Sequence, residues 1–284
     1  MLTVLAPAKL NLTLEVLGKR PDGFHEIRSV LQTVNLCDSL HFRTDQGISI
    51  KSDLPGWSAD ESLVARAVNL LQKTAGCSRG AAIEVEKLVP LVSGLGGDSS
   101  DAAATLRGLN ELWELGLPLE RLLELAARLG SDVAFFLYGG TALAEGRGEL
   151  VTPLPTLVDM WVVLVVPDVP GLPGKTQKLY ASLKSSHYTD GRITEKMVAS
   201  LNEGRGFKPS LLFNTFENVA YDSFPNLKVY KEHIIKLGAP HVHLAGSGPA
   251  LFTMLADKEK AEDLYIRCEN QGMEVYLVGT KVEG

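Results

Sequence analysis

Alternating apolar and polar residues open the chain and predict β-structure. After residues 2–5, Leu10, Leu12 and Leu14 alternate with polar side chains, and this period of two is typical of a strand with two unlike faces. Further strands are predicted at residues 27–35, 39–43, 48–51 and 82–85. The N-terminal region is therefore predicted to be rich in strands.

Helical spacing takes over after this region. Residues 62–75 carry alanine and leucine three and four positions apart, and Gly76 follows as a stop signal. The same spacing predicts helices at residues 101–115 and 118–129, with a third element at 131–137. A strand at residues 141–144 is bounded by glycines on both sides.

The second half of the chain mixes both patterns. Strands are predicted at residues 161–166, 242–244 and 275–278, with several helices between them and a Pro/Gly loop at 167–174. Residues 184–210 are polar and irregular. Because strands and helices mix without a strict βαβ period, we expect an α+β fold. Pro153 and Pro155 mark a boundary between two domains, residues 1–152 and 153–284.

Composition narrows the class of protein. The chain has 284 residues, of which 45% are hydrophobic and 22% charged, and its formal net charge is −6. This is ordinary globular composition, and the negative charge argues against a nucleic-acid partner. Cys37, Cys77 and Cys268 show no metal-binding spacing. We therefore expect reduced thiols, no metal bound by cysteine or histidine, and a cytoplasmic location.

Targeting and membrane signals are not expected either. The first eight residues have no basic segment and too short an apolar run for a signal peptide. The apolar run at residues 160–167 has the length of a strand, far below the roughly 18 residues of a membrane span. The pair His241 and His243 has spacing that can bind a metal, but without a third nearby ligand strand packing is the simpler interpretation.

A glycine-rich loop at residues 93–100 is the strongest local signal for chemistry. Its glycines allow several backbone N–H groups to point inward together, and the helix that follows adds the positive end of its dipole. Ser99 and Ser100 add hydroxyls for a phosphate oxygen or Mg²⁺. The loop matches neither the Walker pattern nor a dinucleotide fingerprint. Two interpretations stay open: a phosphate-binding loop, or a plain turn in which Asp98 or Ser99 caps the helix.

Two further segments share the chain with this loop. One runs Pro-Ala-Lys-Leu-Asn-Leu from Pro7, with Arg-Pro-Asp-Gly-Phe-His-Glu from Arg20 behind it, and the other is a second glycine turn at residues 246–248. Three motifs in this order resemble the GHMP small-molecule kinases, which include galactokinase, homoserine kinase and mevalonate kinase. The resemblance runs from about residue 2 to the last strand and weakens through 170–210.

The resemblance implies a fold and a reaction. The N-terminal domain would resemble domain 2 of ribosomal protein S5, the C-terminal domain would be ferredoxin-like, and the active site would lie between them. The motifs A-P-A-K-x-N-L and R-P-D-G-[FY]-H-E are most similar to those of the family members that act on a cytidine-diphosphate-linked methylerythritol. The implied reaction moves the γ-phosphoryl group of ATP to its 2-hydroxyl with Mg²⁺ assisting. The enzyme would be a monomer or homodimer.

The resemblance also assigns catalytic residues. Asp132 matches the catalytic aspartate and would accept or orient the hydroxyl proton, although an Asp after Gly-Ser is commonly a helix N-cap. Lys9 would lie beside Asp132, lower its pKa and stabilise charge on the transferring phosphoryl group. A lone lysine in a strand is ordinarily solvated, but Lys9 lies between Ala8 and Leu10 in a largely apolar strand.

Binding residues are carried over in the same way. Phe24 and Tyr180 would sandwich the flat cytosine ring, and His25 would hydrogen-bond its edge; the alternative is that Phe24 is a core residue and His25 a surface histidine. The remaining substrate-side residues are Asn11, Gly246 and Ser247. The ATP site would consist of Lys87, Pro90, Gly94, Gly96, Gly97, Ser99 and Ser100. For the second glycine turn, a plain strand-to-helix connection is the alternative.

Some residues depart from the family pattern. Val92, Ser93 and Asp98 stand where glycine is usual, Ser62 replaces an Asn near the adenine, and Lys175 replaces a Ser. A carboxylate at Asp98 should repel a triphosphate unless it points to solvent, caps the helix or meets Mg²⁺. Another kinase of the same superfamily, acting on homoserine, a sugar or mevalonate, therefore stays possible. So does a non-catalytic nucleotide-binding module.

Overall fold

The first of two β-sheets is built around two long neighbouring strands. The computed structural model describes residues 1–55, 57–157, 160–205 and 207–280. Strands β1 (Leu2–Lys19) and β2 (His25–Asp45) pair antiparallel along their whole length, with irregularities in register that bend the pair. The other strands of this sheet are β3 (Ile48–Ser52), β4 (Gly80–Glu86), β5 (Thr141–Gly146), β6 (Leu150–Pro153) and β8 (Phe213–Asn214).

The second sheet has the order β11-β7-β10-β9, with every neighbouring pair antiparallel. Its strands are β7 (Trp161–Val166), β9 (His243–Leu244), β10 (Leu251–Leu255) and β11 (Glu274–Gly279). In chain order this is 4-1-3-2, with helical segments after the first and third strands. That arrangement is the ferredoxin-like order, so the expected α+β fold is confirmed for this half.

Helices cover one face of the first sheet. They are α1 (Leu63–Ala75), α2 (Gly97–Leu112), α3 (Leu119–Leu129) and α4 (Val133–Tyr138). Ser62 caps α1 by accepting from the N–H of Ala65, and Gly76 ends it in a left-handed conformation. Phe42 of the sheet packs with Trp113, Phe135 and other buried side chains in the core beneath these helices. α2 lies centrally in this layer, which fixes the position of its first turn.

The other face of the first sheet packs on the second half of the chain. Leu10 and Val30 of the first sheet share a core with Val162 and Phe252 of the second. The helices of the second half are α5 (Lys175–Ser182), α6 (Arg192–Asn202), α7 (Glu217–Ser223), α8 (Leu227–Lys236) and α9 (Lys258–Glu269). Because β1 lies between two cores, its residues from Ala6 to Val16 are all buried.

Several elements differ from the sequence predictions. The segments predicted as separate strands in the first 45 residues form only two strands, and α2 begins at Gly97 rather than 101. The polar segment 184–210 contains α6, whose Thr194 and Met197 are buried. β10 was not predicted, because its residues Leu251–Leu255 are buried on both faces and show no alternation of apolar and polar positions.

The proposed division at residue 152 stays a prediction, and the structure adds one detail to it. β8, from the second half of the chain, pairs parallel with Thr13 and Leu14 of β1. α6 packs against β1 and β2. The two halves are therefore joined by main-chain hydrogen bonds as well as by side-chain packing. No helix in the described part of the chain has the length and apolar character needed to cross a bilayer.

Candidate active site

The polar side chains of β1 form a buried row on one side of the strand. Lys9, Asn11, Thr13 and Glu15 are each at most 5% exposed, and the alternation of the strand separates them from the apolar residues between them. Such groups must find hydrogen-bond partners because burial without them is costly. The Oδ1 atom of Asn11 accepts from Lys9 Nζ at 2.6 Å, and its Nδ2 donates to Ser29 Oγ at 2.8 Å. The row therefore holds Lys9 in one orientation.

Lys9 lies beside the predicted catalytic aspartate. Its Nζ atom is 3.6 Å from Asp132 Oδ2, and the two side chains are 6% and 39% exposed. Asp132 occupies the N-cap position of α4, as the alternative interpretation has it, but its side chain makes no capping hydrogen bond. The aspartate is instead positioned at an open cavity, with a buried ammonium behind it.

The glycine-rich loop ends directly above Lys9. The N–H of Lys9 donates to the carbonyl of Leu95 at 2.8 Å, and a Cβ atom on Gly96 would lie 3.1 Å from Cγ of Lys9. Gly96 is the N-cap of the 16-residue helix α2, has a φ of 78°, and brings no capping side chain. Neither Asp98 nor Ser99 caps the helix. The first turn of α2 therefore presents backbone N–H groups and its dipole to the cavity, as an anion site requires.

The second glycine turn packs against the first. A Cβ atom on Gly246 would lie 2.7 Å from the carbonyl oxygen of Gly94 and 3.0 Å from Lys9 Nζ, while one on Gly94 would overlap the carbonyl oxygen of Ala245. The N–H of Ala250 donates to the carbonyl of Ser93 at 3.1 Å. This turn joins β9 to β10, so the strand-to-helix alternative is wrong. Glycine is required here because two backbones meet without room for side chains.

Lys87 lies beneath the loop in a cluster of carboxylates. Its Nζ atom is 2.6 Å from Asp38 Oδ2 and 2.7 Å from Asp101 Oδ2, and all three side chains are at most 2% exposed. The exposed Asp98 is further away, at 3.9 Å. Burial alone would lower the pKa of Lys87, but attraction by Asp101 and Asp38 outweighs it and raises the pKa. Lys87 therefore bonds two buried carboxyl groups before any nucleotide binds.

The same cluster changes the acidity of Asp101. Burial, opposed by Lys87 and reinforced by repulsion from Asp38, raises the pKa of Asp101 to about 7. Asp38 also accepts hydrogen bonds from the N–H groups of Leu88 and Val89 at 2.6 and 2.7 Å. Gly97 lies close to the same carboxylate, because a Cβ atom added to Gly97 would be 3.5 Å from Asp38 Oδ2. The cluster thus ties β2, the chain after β4 and the start of α2 together beneath the phosphate loop.

Aromatic side chains gather at the other end of the cavity. The rings of His25 and Tyr180 stack with centroids 4.7 Å apart and planes inclined by 18°, and Tyr188 meets His25 edge-on at 6.0 Å. Phe24 is 53% exposed, and the guanidinium of Arg147 lies 4.8 Å above its ring. The structure thus adds a His25–Tyr180 stack, and the cytosine sandwich of Phe24 and Tyr180 stays a prediction. Burial, with repulsion from Lys19, lowers the pKa of His25 and favours its neutral form.

The Lys9–Asp132 pair, the two glycine turns, Lys87 and the rings of Phe24, His25 and Tyr180 line one cavity of about 980 Å³. Every predicted site residue except Ser100 lines it; Ser100 is 1% exposed and its hydroxyl is buried without a hydrogen-bond partner among the described residues. The structure also adds lining residues that the sequence prediction did not include as binding residues, namely Lys19, Ser131, Arg147, Lys175 and Thr176. The roles of the individual residues stay predictions.

Comparison with known proteins identifies the family. Residues 62–140 match the family model of the GHMP kinases N terminal domain, and residues 197–272 match that of the GHMP kinases C terminal. The chain belongs to the GHMP kinases. It is thus a small-molecule kinase that uses ATP, and the cavity between phosphate loop and aromatic cluster is its candidate active site.

Comparison with individual relatives is more specific than the match to the family models. The GHMP kinase chain is 50% identical over 280 residues to the 4-diphosphocytidyl-2-C-methyl-D-erythritol kinase of Dehalococcoides mccartyi, covering 99% of this chain and 98% of the relative. It is 40% identical to the enzyme of that name from Shouchella clausii, covering 97% and 93%. The crystal structure of 4-(cytidine 5'-diphospho)-2C-methyl-D-erythritol kinase superimposes with a TM-score of 0.83 at 30% identity, covering 98% of both chains. Homoserine kinase from Cytophaga hutchinsonii, at 20% identity and a TM-score of 0.74, shares the fold.

Proposed function

We propose that the enzyme transfers the γ-phosphoryl group of ATP to the 2-hydroxyl of 4-diphosphocytidyl-2-C-methyl-D-erythritol, a step of non-mevalonate isoprenoid precursor biosynthesis. The observation that carries the proposal is a single cavity with the Lys9–Asp132 pair between a phosphate loop and an aromatic cluster. A nucleoside-bearing acceptor needs both a base-binding end and a reacting end. The high identity to relatives bearing that name supports the same substrate.

The Lys9–Asp132 pair would carry the chemistry. The acceptor oxygen forms a bond to the γ-phosphorus, the bond from that phosphorus to the bridging oxygen of ADP breaks, and the hydroxyl proton passes to the carboxylate of Asp132. Lys9 is 3.6 Å from that carboxylate and would stabilise the negative charge on the transferring group. Asn11 accepts from Lys9 at 2.6 Å, so its role would be to hold the ammonium in place.

The phosphate loop would bind the triphosphate through backbone N–H groups. Gly94, Gly96, Gly97 and Ser99 line the cavity where α2 begins, and no side chain there competes for the N–H groups of the first turn. Lys87 already bonds Asp38 and Asp101. We therefore assign Lys87 to holding the loop in shape.

Mg²⁺ fits the donors present at this end of the cavity. Mg²⁺ is commonly held by one or two carboxylates together with substrate phosphates, and Asp98, Ser99 and Asp132 line the cavity beside the loop. The side chain of Asp98 is 64% exposed and lies 3.9 Å from Lys87 Nζ, so its carboxylate is accessible to a cation in the cavity. When bound, the ion would neutralise charge on the triphosphate. Asp98 and Ser99 are the residues we expect to hold it.

The aromatic cluster would bind the cytosine ring. The exposed ring of Phe24 offers a stacking surface, which is worth about 1–3 kcal/mol for a nucleobase. The neutral imidazole of His25 has one donor and one acceptor nitrogen for the base edge. Tyr180 stacks on His25, so its role would be to orient the histidine as well as to line the base site.

An acceptor panel tests this proposal. The purified enzyme is incubated with ATP and Mg²⁺ and with 4-diphosphocytidyl-2-C-methyl-D-erythritol, homoserine, galactose or mevalonate, and ADP release is measured. We expect turnover with the cytidylyl compound alone. Turnover with homoserine, galactose or mevalonate instead would favour another kinase of the superfamily, and absence of turnover with all four would favour a non-catalytic nucleotide-binding module.

We also propose a cellular location and an oligomeric state for the enzyme. A cytoplasmic enzyme that works as a monomer or homodimer, without nucleic-acid or membrane partners, suits the composition described above. The domain division at residues 1–152 and 153–284 belongs to the same set of proposals. Light scattering on the purified protein measures its mass directly and decides between monomer and dimer.

A further inference from the structure

Lys175 lies at the junction of the two glycine turns. Its Nζ atom donates to the carbonyl of Val92, 2.6 Å away in the phosphate loop, and also to the carbonyl of Gly248 in the second turn. The next residue, Thr176, has its hydroxyl 3.0 Å from that of Ser247. The first residue of α5 thus connects both backbones that enclose this end of the cavity.

Lys175 carries a positive charge, and its hydrogen-bond partners in the described part of the chain are neutral. Among the described residues no carboxylate forms an ion pair with it, and its two acceptors are neutral carbonyl oxygens. Burial, together with repulsion from nearby Lys9, lowers the pKa of Lys175 to about 8. An ammonium has three N–H donors, and two of them are used. The Lys175 ammonium is half-buried, lines a ligand cavity and has one unused N–H donor. We therefore expect an anionic ligand group to bind it.

The anion that fits is a phosphate group. Lys175 lines the same cavity as Lys9 and the phosphate loop. The negatively charged oxygen of a phosphate group accepts a stronger hydrogen bond from an ammonium than a neutral carbonyl oxygen does. We propose that Lys175 binds a phosphate group of a substrate directly, as a second ammonium beside Lys9. Its bonds to Val92 and Gly248 would then position this ammonium before the ligand arrives.

The identity of the phosphate rests on the proposed function. Two sources are available in that reaction: the γ-phosphate of ATP, and the diphosphate of the cytidylyl acceptor. Both would place the same chemistry, a phosphate oxygen with negative charge, between the two glycine turns. Binding measurements with separate probes distinguish them, and they do not require turnover.

The test compares four proteins by calorimetry: wild type, Lys175→Met, Lys175→Arg and the control Lys178→Met. Lys178 is exposed, lies on the same helix and does not line the cavity. Each protein is titrated with a non-hydrolysable ATP analogue, with ADP and with CDP. We expect Lys175→Met to weaken one phosphate probe by about tenfold or more, the size of one lost charge-assisted hydrogen bond. Lys175→Arg keeps the charge and part of the affinity, and Lys178→Met binds like wild type.

The pattern identifies the source. Weakened binding of the ATP analogue with ADP and CDP unchanged assigns the γ-phosphate, and weakened binding of CDP assigns the acceptor diphosphate. If Lys175→Met binds all probes like wild type, even with a lowered melting temperature, Lys175 only fastens the turns and the proposal is overturned. Failure of wild type itself to bind any of the probes would instead count against the proposed function.

A measurement on the unmodified enzyme covers the case in which Lys175→Met does not fold. At pH 9 most of the Lys175 ammonium has lost its proton, so the phosphate probe should bind more weakly than at pH 7. The other charged or titratable residues that line the cavity are Lys9, Lys19, Asp22, His25, Lys87, Asp98, Asp132, Arg147 and Tyr180. Equal affinity at both pH values overturns the proposal; a weaker affinity at pH 9 that Lys175→Arg removes supports it.

Discussion

Lys9 is a buried ammonium whose position is set by neighbours on its own strand and the next. Asn11 receives its hydrogen bond and is itself held by Ser29, which donates to the carbonyl of Thr13 at 2.5 Å. Such a chain of bonds leaves the lysine one orientation, toward Asp132. Positioning of this kind is what electrostatic stabilisation of a transferring group requires.

Removing either member of the pair should slow turnover without unfolding the protein. We expect Lys9→Ala and Asp132→Ala each to lower kcat by roughly 10²-fold or more, because each removes a group that acts on the transferring phosphoryl or on the proton. Steady-state ADP release measures this, with the exposed Lys51→Ala as the control. Near-wild-type kcat in both variants would remove the assignments.

His25 should affect one substrate and leave the other alone. It stacks on Tyr180 at the end of the cavity away from the phosphate loop, so we expect His25→Ala to raise the KM for the cytidylyl acceptor about tenfold or more. The KM for ATP should stay near that of wild type. Equal increases in both KM values would indicate a general disturbance of the cavity rather than a lost contact with the base.

At the scale of elements, the site depends on two turns that touch. Gly94 has a φ of 93° and Gly246 a φ of 54°, conformations in which side chains are strained. Val92, in the same loop, also has a positive φ of 53° although it is β-branched, and its carbonyl accepts from Lys175. The loop therefore holds strain that contacts from the second half of the chain offset.

Adding one methyl group should separate the turns. We expect Gly94→Ala to destabilise the protein by about 2 kcal/mol or more and to lower kcat/KM, because its Cβ would overlap the Ala245 carbonyl and its φ is unfavourable. Gly171→Ala is the matched control, since nothing lies within 4 Å of its Cβ position and its φ is ordinary. Urea unfolding compares the two. A Gly94→Ala variant as stable as Gly171→Ala would show that the turns adjust freely.

At the scale of the whole molecule, buried polar groups join parts that are distant in sequence. The Lys87 cluster fastens the phosphate loop to β2. Glu15 of β1 accepts from the N–H of Thr194 in α6 at 2.7 Å, and the hydroxyl of Thr194 donates to Thr13 at 2.9 Å. Groups of this kind specify how two layers fit, because a misfit would leave them unpaired.

The Lys87 cluster makes stability depend on pH. The pKa of Asp101 is raised to about 7 in the folded protein, above its ordinary 3.8, so the folded state binds this proton more tightly than the unfolded chain does. The contribution of this group to stability is therefore lost as pH rises from about 4 to about 7. We expect Asp101→Asn to lose less stability than wild type between pH 5 and pH 8, measured by urea unfolding.

The exposed Asp98 supplies the control for that measurement. It lies 3.9 Å from the same lysine with its side chain 64% exposed, and Asp98→Asn should keep the wild-type dependence on pH. Equal losses of stability in wild type and Asp101→Asn would show that Asp101 does not hold a proton in this range.

The local sequence pattern by itself predicted many of the strands and helices of this protein and the family to which it belongs. The alternation in β1 and the helical spacing of α1 and α3 predicted those elements, because periodicity reports which face is buried. The glycine-rich loop was recognisable because only glycine permits such a backbone, and the motifs around Lys9, Asp132 and the second turn together indicated the GHMP kinases. The polar segment that contains α6 was not predicted, since its helix is stabilised by packing on β1 and β2 rather than by a strong local pattern.

Other features were decided only by the tertiary structure. No local pattern shows that Lys87 meets Asp38 and Asp101, that His25 stacks on Tyr180, or that Lys175 reaches both glycine turns. Each of these contacts joins residues at least 14 positions apart in the chain. Their energies depend on burial that exists only in the folded protein. Sequence periodicity fixes which side of a strand or helix is apolar; the packing of layers decides which charges come face to face.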